Sequence, residues 1–282
     1  MLLKDNYIGP HHIGIKSRNN EELSNWYQSV LGYELVSKHM VKKDPDLQIT
    51  FLKCGNLTIE LIQNGDGKNV DQLSHGHIDH FAMRSSHPEN AMLAFKKKNI
   101  PIFEADGDKP AHLANFFDDG VSYVVGLSPN GEKVEVSHIH GQDNKANPMW
   151  ENWAHLGIPL VNLEESTQFY EKLGFAVSGS GYVDTDDGRI KANFLKQGDL
   201  QLELYQLVGE GLKEIKTRQH GIIDHIAIEV KDLPKALIEL KENGLAPDNL
   251  EISTLDFSGK AYQMFFIYGP MGEKIEISQV SD

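Results

Sequence analysis

"DLQLELYQLV", residues 199–208, alternates as a strand does: Leu200, Leu202 and Leu204 share one face, while Gln201, Glu203 and Tyr205 share the other. A carboxylate in such a strand needs a reason, because acidic residues are depleted in sheets and a buried, unpartnered charge is costly. The same design occurs in "NLTIELIQNG", residues 56–65, where Glu60 opposes Leu57, Ile59 and Leu61. Two copies of an unusual strand point to a repeat, and the repeat decides the architecture.

The repeat has one constant offset. His12 and His155, Tyr27 and Tyr170, Phe51 and Phe194, and Glu60 and Glu203 all lie 143 residues apart. "HIGIKSRNNEELSNWYQ", from His12, aligns with "HLGIPLVNLEESTQFYE", from His155. Each half divides again. "HIDHFAMRSSHPENAMLAFKKKNIPIFE" and "IIDHIAIEVKDLPKALIELKENGLAPDN" both read as strand, capped helix, then a turn into further strand. "SPNGEKVEVSHI" and "GPMGEKIEISQV" close these units with a glycine turn and an alternating strand. The chain is therefore read as α+β, with four βαβββ modules spanning about 8–70, 76–139, 154–208 and 220–282. Consecutive pairing gives a first domain over 1–139 and a second over 154–282, joined by a polar, proline-containing linker at 140–153. Exchange is the alternative, pairing module one with four and two with three.

Alternation sorts the polar residues. His12, His80, His155 and His225 each lie opposite bulky apolar neighbours on an opening strand, and each is followed two residues later by glycine or alanine. Glu60, Glu135, Glu203 and Glu276 do the same on closing strands. The module helices need an apolar surface to pack on, so the His/Glu side must be the side the sheet encloses. A single histidine or glutamate on a sheet is commonplace. One of each in four modules is a donor set suited to a divalent transition metal.

Composition narrows the partners. The 282 residues are 40% hydrophobic and 24% charged, the ordinary range for a globular protein. A net charge of −14 disfavours nucleic acid and anionic membrane as partners and leaves a small-molecule substrate. There is no apolar run of membrane-spanning length, and the first residues do not read as a signal peptide. One cysteine, Cys54, fits a reducing cytoplasm. The expected assembly is a monomer or homodimer.

These residues resemble the vicinal oxygen chelate superfamily, which includes glyoxalase I, extradiol dioxygenases and bleomycin-resistance proteins. The resemblance covers essentially the whole chain and implies two glyoxalase-like domains with U-shaped mixed sheets around metal sites. It implies metal ligands at His12, Glu60, His80, Glu135, His155, Glu203, His225 and Glu276, with Glu135 and Glu276 as the principal catalytic bases. Ring-cleaving relatives place a catalytic histidine and tyrosine where this chain has Gly65 and Val125, then Glu210 and Phe266. The double His/Glu set instead looks like the glyoxalase branch, a lyase or isomerase moving a proton on an α-hydroxycarbonyl or hemithioacetal. An extradiol dioxygenase, or a binding protein without chemistry, is the alternative.

The implied cofactor is Ni, Co, Zn, Mn or Fe, which N/O donors alone do not distinguish. Implied substrate-binding residues are Lys16, Asn64, Arg84 and Tyr205. His11, His77 and His138 fall out of phase with the ligands and read as structural or exposed. Asp79 and Asp224 read as turn-orienting residues.

Overall fold

The fold is a computed structural model describing residues 2–3, 5–41, 44–141, 152–257 and 260–280. Module one runs β1 (Tyr7–Lys16), α1 (Asn20–Leu31), β2 (Glu34–Val41), β3 (Asp44–Cys54) and β4 (Leu57–Asn64). Module two runs β5 (His80–Arg84), α2 (Pro88–Lys97), the short strands β6 (Ile102–Glu104) and β7 (Ala111–Leu113), β8 (Val121–Leu127) and β9 (Lys133–Ile139). Module three runs β10 (Asn152–Leu160), α3 (Leu163–Leu173), β11 (Ala176–Thr185), β12 (Gly188–Gln197) and β13 (Leu200–Gln206), followed by the short helix α4 (Gly209–Ile215). Module four runs β14 (Ile223–Val230), α5 (Leu233–Glu242), β15 (Ser253–Phe257), β16 (Lys260–Tyr268) and β17 (Lys274–Val280). Most of the expected linker lies outside the described residues.

Helices α1 and α3 begin and end where the sequence signals them, whereas α2, also expected to be capped, has no side-chain cap bond from His87. Asn19 caps α1 by accepting from the backbone N–H groups of Glu21 and Glu22, and Asn162 caps α3 by accepting from that of Glu165. Both helices stop at a glycine in the left-handed region, Gly32 at φ 72° and Gly174 at φ 110°.

The sheets join modules by exchange. One sheet has the order β15-β16-β17-β14-β1-β4-β3-β2, uniting modules one and four. The other has the order β11-β12-β13-β10-β5-β9-β8-β6, uniting modules three and two, with β7 paired to β8. The expected domains 1–139 and 154–282 are thus corrected: each half of the chain gives one module to each sheet. The seams are antiparallel, β1 with β14 and β10 with β5, and inside each module the opening strand runs parallel to the closing one.

Both sheets curl around a concave face, named cup A for modules one and four and cup B for modules two and three. Their convex faces share one core with the helices. It holds Ile13 and Leu61 of module one, Phe81 and Val134 of module two, Leu156 and Leu204 of module three, and Ile226 and Ile277 of module four. Burying each such side chain contributes roughly 1.5–3 kcal/mol. Two matched hydrogen bonds cross this core, Tyr27 Oη to Glu132 Oε1 at 2.6 Å and Tyr170 Oη to Glu273 Oε1 at 2.7 Å. Among the described residues, no helix is long and apolar enough to cross a membrane.

Candidate metal centres

The seams bring the histidines together. In cup A, His225 lies opposite Gly14 and His12 opposite Ala227; in cup B, His80 lies opposite Gly157 and His155 opposite Ala82. The small residue two positions after each histidine leaves room for the imidazole of the facing strand. A Cβ on Gly14 would stand 2.1 Å from the His225 ring, and one on Gly157 2.0 Å from the His80 ring.

Four donors meet in each cup. In cup A, His12 Nε2 lies 2.9 Å from His225 Nε2 and 3.2 Å from Glu60 Oε2. His225 Nε2 is 3.5 Å from Glu60 Oε2 and 3.6 Å from Glu276 Oε2. In cup B, the Nε2 atoms of His80 and His155 are 3.2 Å apart. Glu203 Oε2 lies 3.4 Å from the first and 3.3 Å from the second. Glu135 straddles them, with Oε2 3.6 Å from His80 and Oε1 3.5 Å from His155. Bonds of 2.0–2.2 Å to a shared ion would put neighbouring ligand atoms about 3.0–3.5 Å apart. The spacing fits, and His12, His225 and Glu276 in cup A and His80, His155 and Glu203 in cup B lie close enough together to hold a divalent metal ion.

Electrostatics separates the two glutamates of cup B. Burial would raise Glu203, but hydrogen bonds and charge from His155 and His80 outweigh it and hold the carboxyl at about 2. Glu135 is raised, because burial exceeds the opposing pull of the same imidazoles. Burial works against a charged His80, yet Asp79, Glu203 and Glu135 lift it to about 10. His225 is likewise lifted to about 10 against its burial by Asp224, Glu60 and Glu276.

Asp79 and Asp224 do more than orient turns. Asp79 Oδ2 lies 3.3 Å from His80 Nδ1, and Asp224 Oδ2 3.1 Å from His225 Nδ1. Each carboxylate is backed by cations: Lys133 and Arg218 on Asp79, Lys16 and Lys274 on Asp224. A carboxylate on the far imidazole nitrogen fixes the ring and its tautomer, leaving Nε2 free to ligate. Repetition could have disclosed these residues, since "IDH" and "GEK" occur in both even-numbered modules.

The expected substrate residues do not form one group. Arg84 and Tyr205 line a cavity of about 430 Å³ in cup B, together with His80, Glu135, His155 and Glu203. The Tyr205 ring lies 6.2 Å from that of His80. Lys16 is engaged with Asp224 Oδ1 at 2.9 Å, and Asn64 is exposed at the end of β4; both belong to the other sheet. His11 is also relocated. The β1–β14 register shifts between Pro10 and His12, and this bulge puts the His11 ring against Tyr262, 5.7 Å between centroids, on the ligand side. His77 is half-buried against His220, and His138 is half-buried beside His140.

Each of the two cups assembles two imidazoles and two carboxylates in a group that could hold a metal ion. The family model for the Glyoxalase/Bleomycin resistance protein/Dioxygenase superfamily matches residues 11–117 and 154–250, and the chain belongs to this superfamily. No curated protein sequence matches it significantly. Among solved structures, glyoxalase I from Zea mays is similar at 19% identity and a TM-score of 0.68, covering 95% of this chain and 91% of that one. A protein of Bacillus subtilis described as a candidate dioxygenase is similar at 16% identity and a TM-score of 0.65, covering 98% and 86%. At these identities the likeness concerns the fold.

Proposed function

We propose that cup B is the catalytic site of a metal-dependent lyase or isomerase of the glyoxalase type. It would act on a small α-hydroxycarbonyl or hemithioacetal, shifting a proton between neighbouring carbons. The observation carrying this reading is the cavity of about 430 Å³ that opens directly onto His80, Glu135, His155 and Glu203. That volume falls in the usual range for small-molecule sites. These four residues would hold the ion, whose contribution when bound is to polarise a chelated carbonyl and acidify the adjacent C–H.

The chain's own groups divide the remaining work. Glu203 aims one oxygen at both imidazoles and stays ionised, which suits a permanent ligand. Glu135 has the higher proton affinity and presents its two oxygens separately, which suits a base that takes the substrate proton and returns it one carbon away. Phe116, Phe117, Val121 and Phe194 give the cavity apolar walls that exclude water from the exchange. Arg84 would bind an acidic group of the substrate, and Tyr205 would donate a hydrogen bond. A reducing compartment would suit the protein's single cysteine, Cys54.

The test is solvent exchange. Metal-loaded protein in D2O should introduce deuterium beside the carbonyl of at least one compound in a panel of α-hydroxycarbonyls and hemithioacetals. Failure across the panel with metal bound would overturn the proposal. Oxygen uptake with catechols would favour the ring-cleaving alternative instead.

A further inference from the structure

At three matched positions cup A carries the larger side chain, although at the neighbouring pair Ile62 and Tyr205 cup B does. The bulge residue before the first ligand histidine is His11 in cup A and Ala154 in cup B, where the register likewise shifts between Trp153 and His155. Facing Ile62 on β4 is Ile49, whereas facing its counterpart Tyr205 on β13 is Ala192. Opposite Val280 on β17 is Tyr262, whereas opposite its counterpart Ile139 on β9 is Val121.

In cup A two of the three larger side chains touch donor residues directly, His11 behind the His12 ring and Tyr262 on the Glu276 carboxylate. His11 Nδ1 lies 2.6 Å from His12 Nδ1, and the Tyr262 hydroxyl donates to Glu276 Oε1. Ile49 and Tyr262 form a buried cluster with Val41 and Phe51. In cup B the smaller Ala154 and Val121 line the cavity instead. Structural metal sites have all their positions closed by protein, whereas catalytic ones keep a position open.

We infer that cup A is a closed metal clasp joining the first and last modules, and that cup B is the cup that admits a ligand. This rests on the metal reading given under Proposed function and adds a division of labour to it. His12 and His225 stand near opposite ends of the sequence, and one antiparallel seam, β1 with β14, joins their modules within the sheet. An ion bound there only in the folded state adds its binding free energy to that seam.

The test uses the whole protein loaded with Co(II), followed by its visible spectrum during extraction with EDTA. Two phases of equal amplitude are expected, the slower by roughly tenfold or more because cup A must open locally first. Acetohydroxamate, a bidentate oxygen chelator, should perturb the spectrum of half of the cobalt. In the combined variant His11→Ala, Ile49→Ala, Tyr262→Val, the slow phase should merge with the fast one and the hydroxamate should reach all of the cobalt. Should that variant fail to fold, the two measurements on the unaltered protein still decide the matter. One extraction phase, or hydroxamate binding at both ions, overturns the clasp and leaves the metal reading intact. One ion per chain also overturns the clasp, and no bound ion overturns both.

Discussion

Cups A and B bring together the same two imidazoles and two carboxylates at nearly the same distances, and in cup B a cavity of about 430 Å³ opens onto them. The lesson lies in what surrounds the donors. Glu276 and Glu135 occupy matching places on β17 and β9, but one oxygen of Glu276 is held by Tyr262, while Val121 at the matching place offers no hydroxyl. A carboxylate engaged in this way is a poor proton shuttle. On this ground the proposal favours Glu135 over Glu276 as the base.

The sharpest way to break this comparison is to neutralise each glutamate. Glu135→Gln should lower deuterium exchange by about 10²–10⁴-fold, the usual weight of a positioned base. The matching change at Glu276 should cost at least about tenfold less than that. Comparable losses from the two variants, measured by NMR of the exchanging proton, would put catalysis in both cups.

Metal removal comes next. With ions present at about 100 times their dissociation constant, binding at one cup adds about 2.7 kcal/mol to folding. For a chain of this size, stripping it should lower Tm by roughly 5–10 °C. Calorimetry with and without chelator measures this, and an unchanged Tm would deny cup A its role.

The seam glycines offer a smaller and more selective test. Gly14→Ala would drive a methyl group into the His225 ring and Gly157→Ala into that of His80, each costing about 1–3 kcal/mol. Each should cost the protein one ion, and exchange activity should fall far more for Gly157→Ala. Metal analysis of the purified variants checks this, and a full complement of two ions in both would show that the rings find another way in.

The mildest change converts one cup toward the other. Ala154→His copies the bulge residue of cup A into the lining of cup B. It should raise KM by about tenfold, equivalent to about 1.4 kcal/mol, with metal content unchanged. Unaltered KM would mean that the bulge position does not control access.

Much of this was legible from local pattern. Alternation put all eight donors on one face, because successive strand residues point to opposite sides whatever the strand pairs with. The Leu-Gly stops after α1 and α3 were legible for a similar reason, since a left-handed residue is a local demand that glycine meets cheaply. His11 escaped because alternation assumes a regular ladder. The bulge beside Pro10 breaks the ladder and turns a residue that should point away onto the ligand side. Asp79 and Asp224 escaped because their place behind a ligand depends on Lys133 and Lys274, which reach them across a parallel strand pair.

The sequence by itself determined the four modules, the superfamily and which residues share the cup face, because a repeat and a two-residue period are properties of the chain alone. Only the tertiary structure decided which modules share a cup. Every opening strand carries a histidine followed by a small residue, so any two could form a seam, and the choice depends on long-range packing. The same packing brings His11, Ile49 and Tyr262, from three distant segments, into one cup.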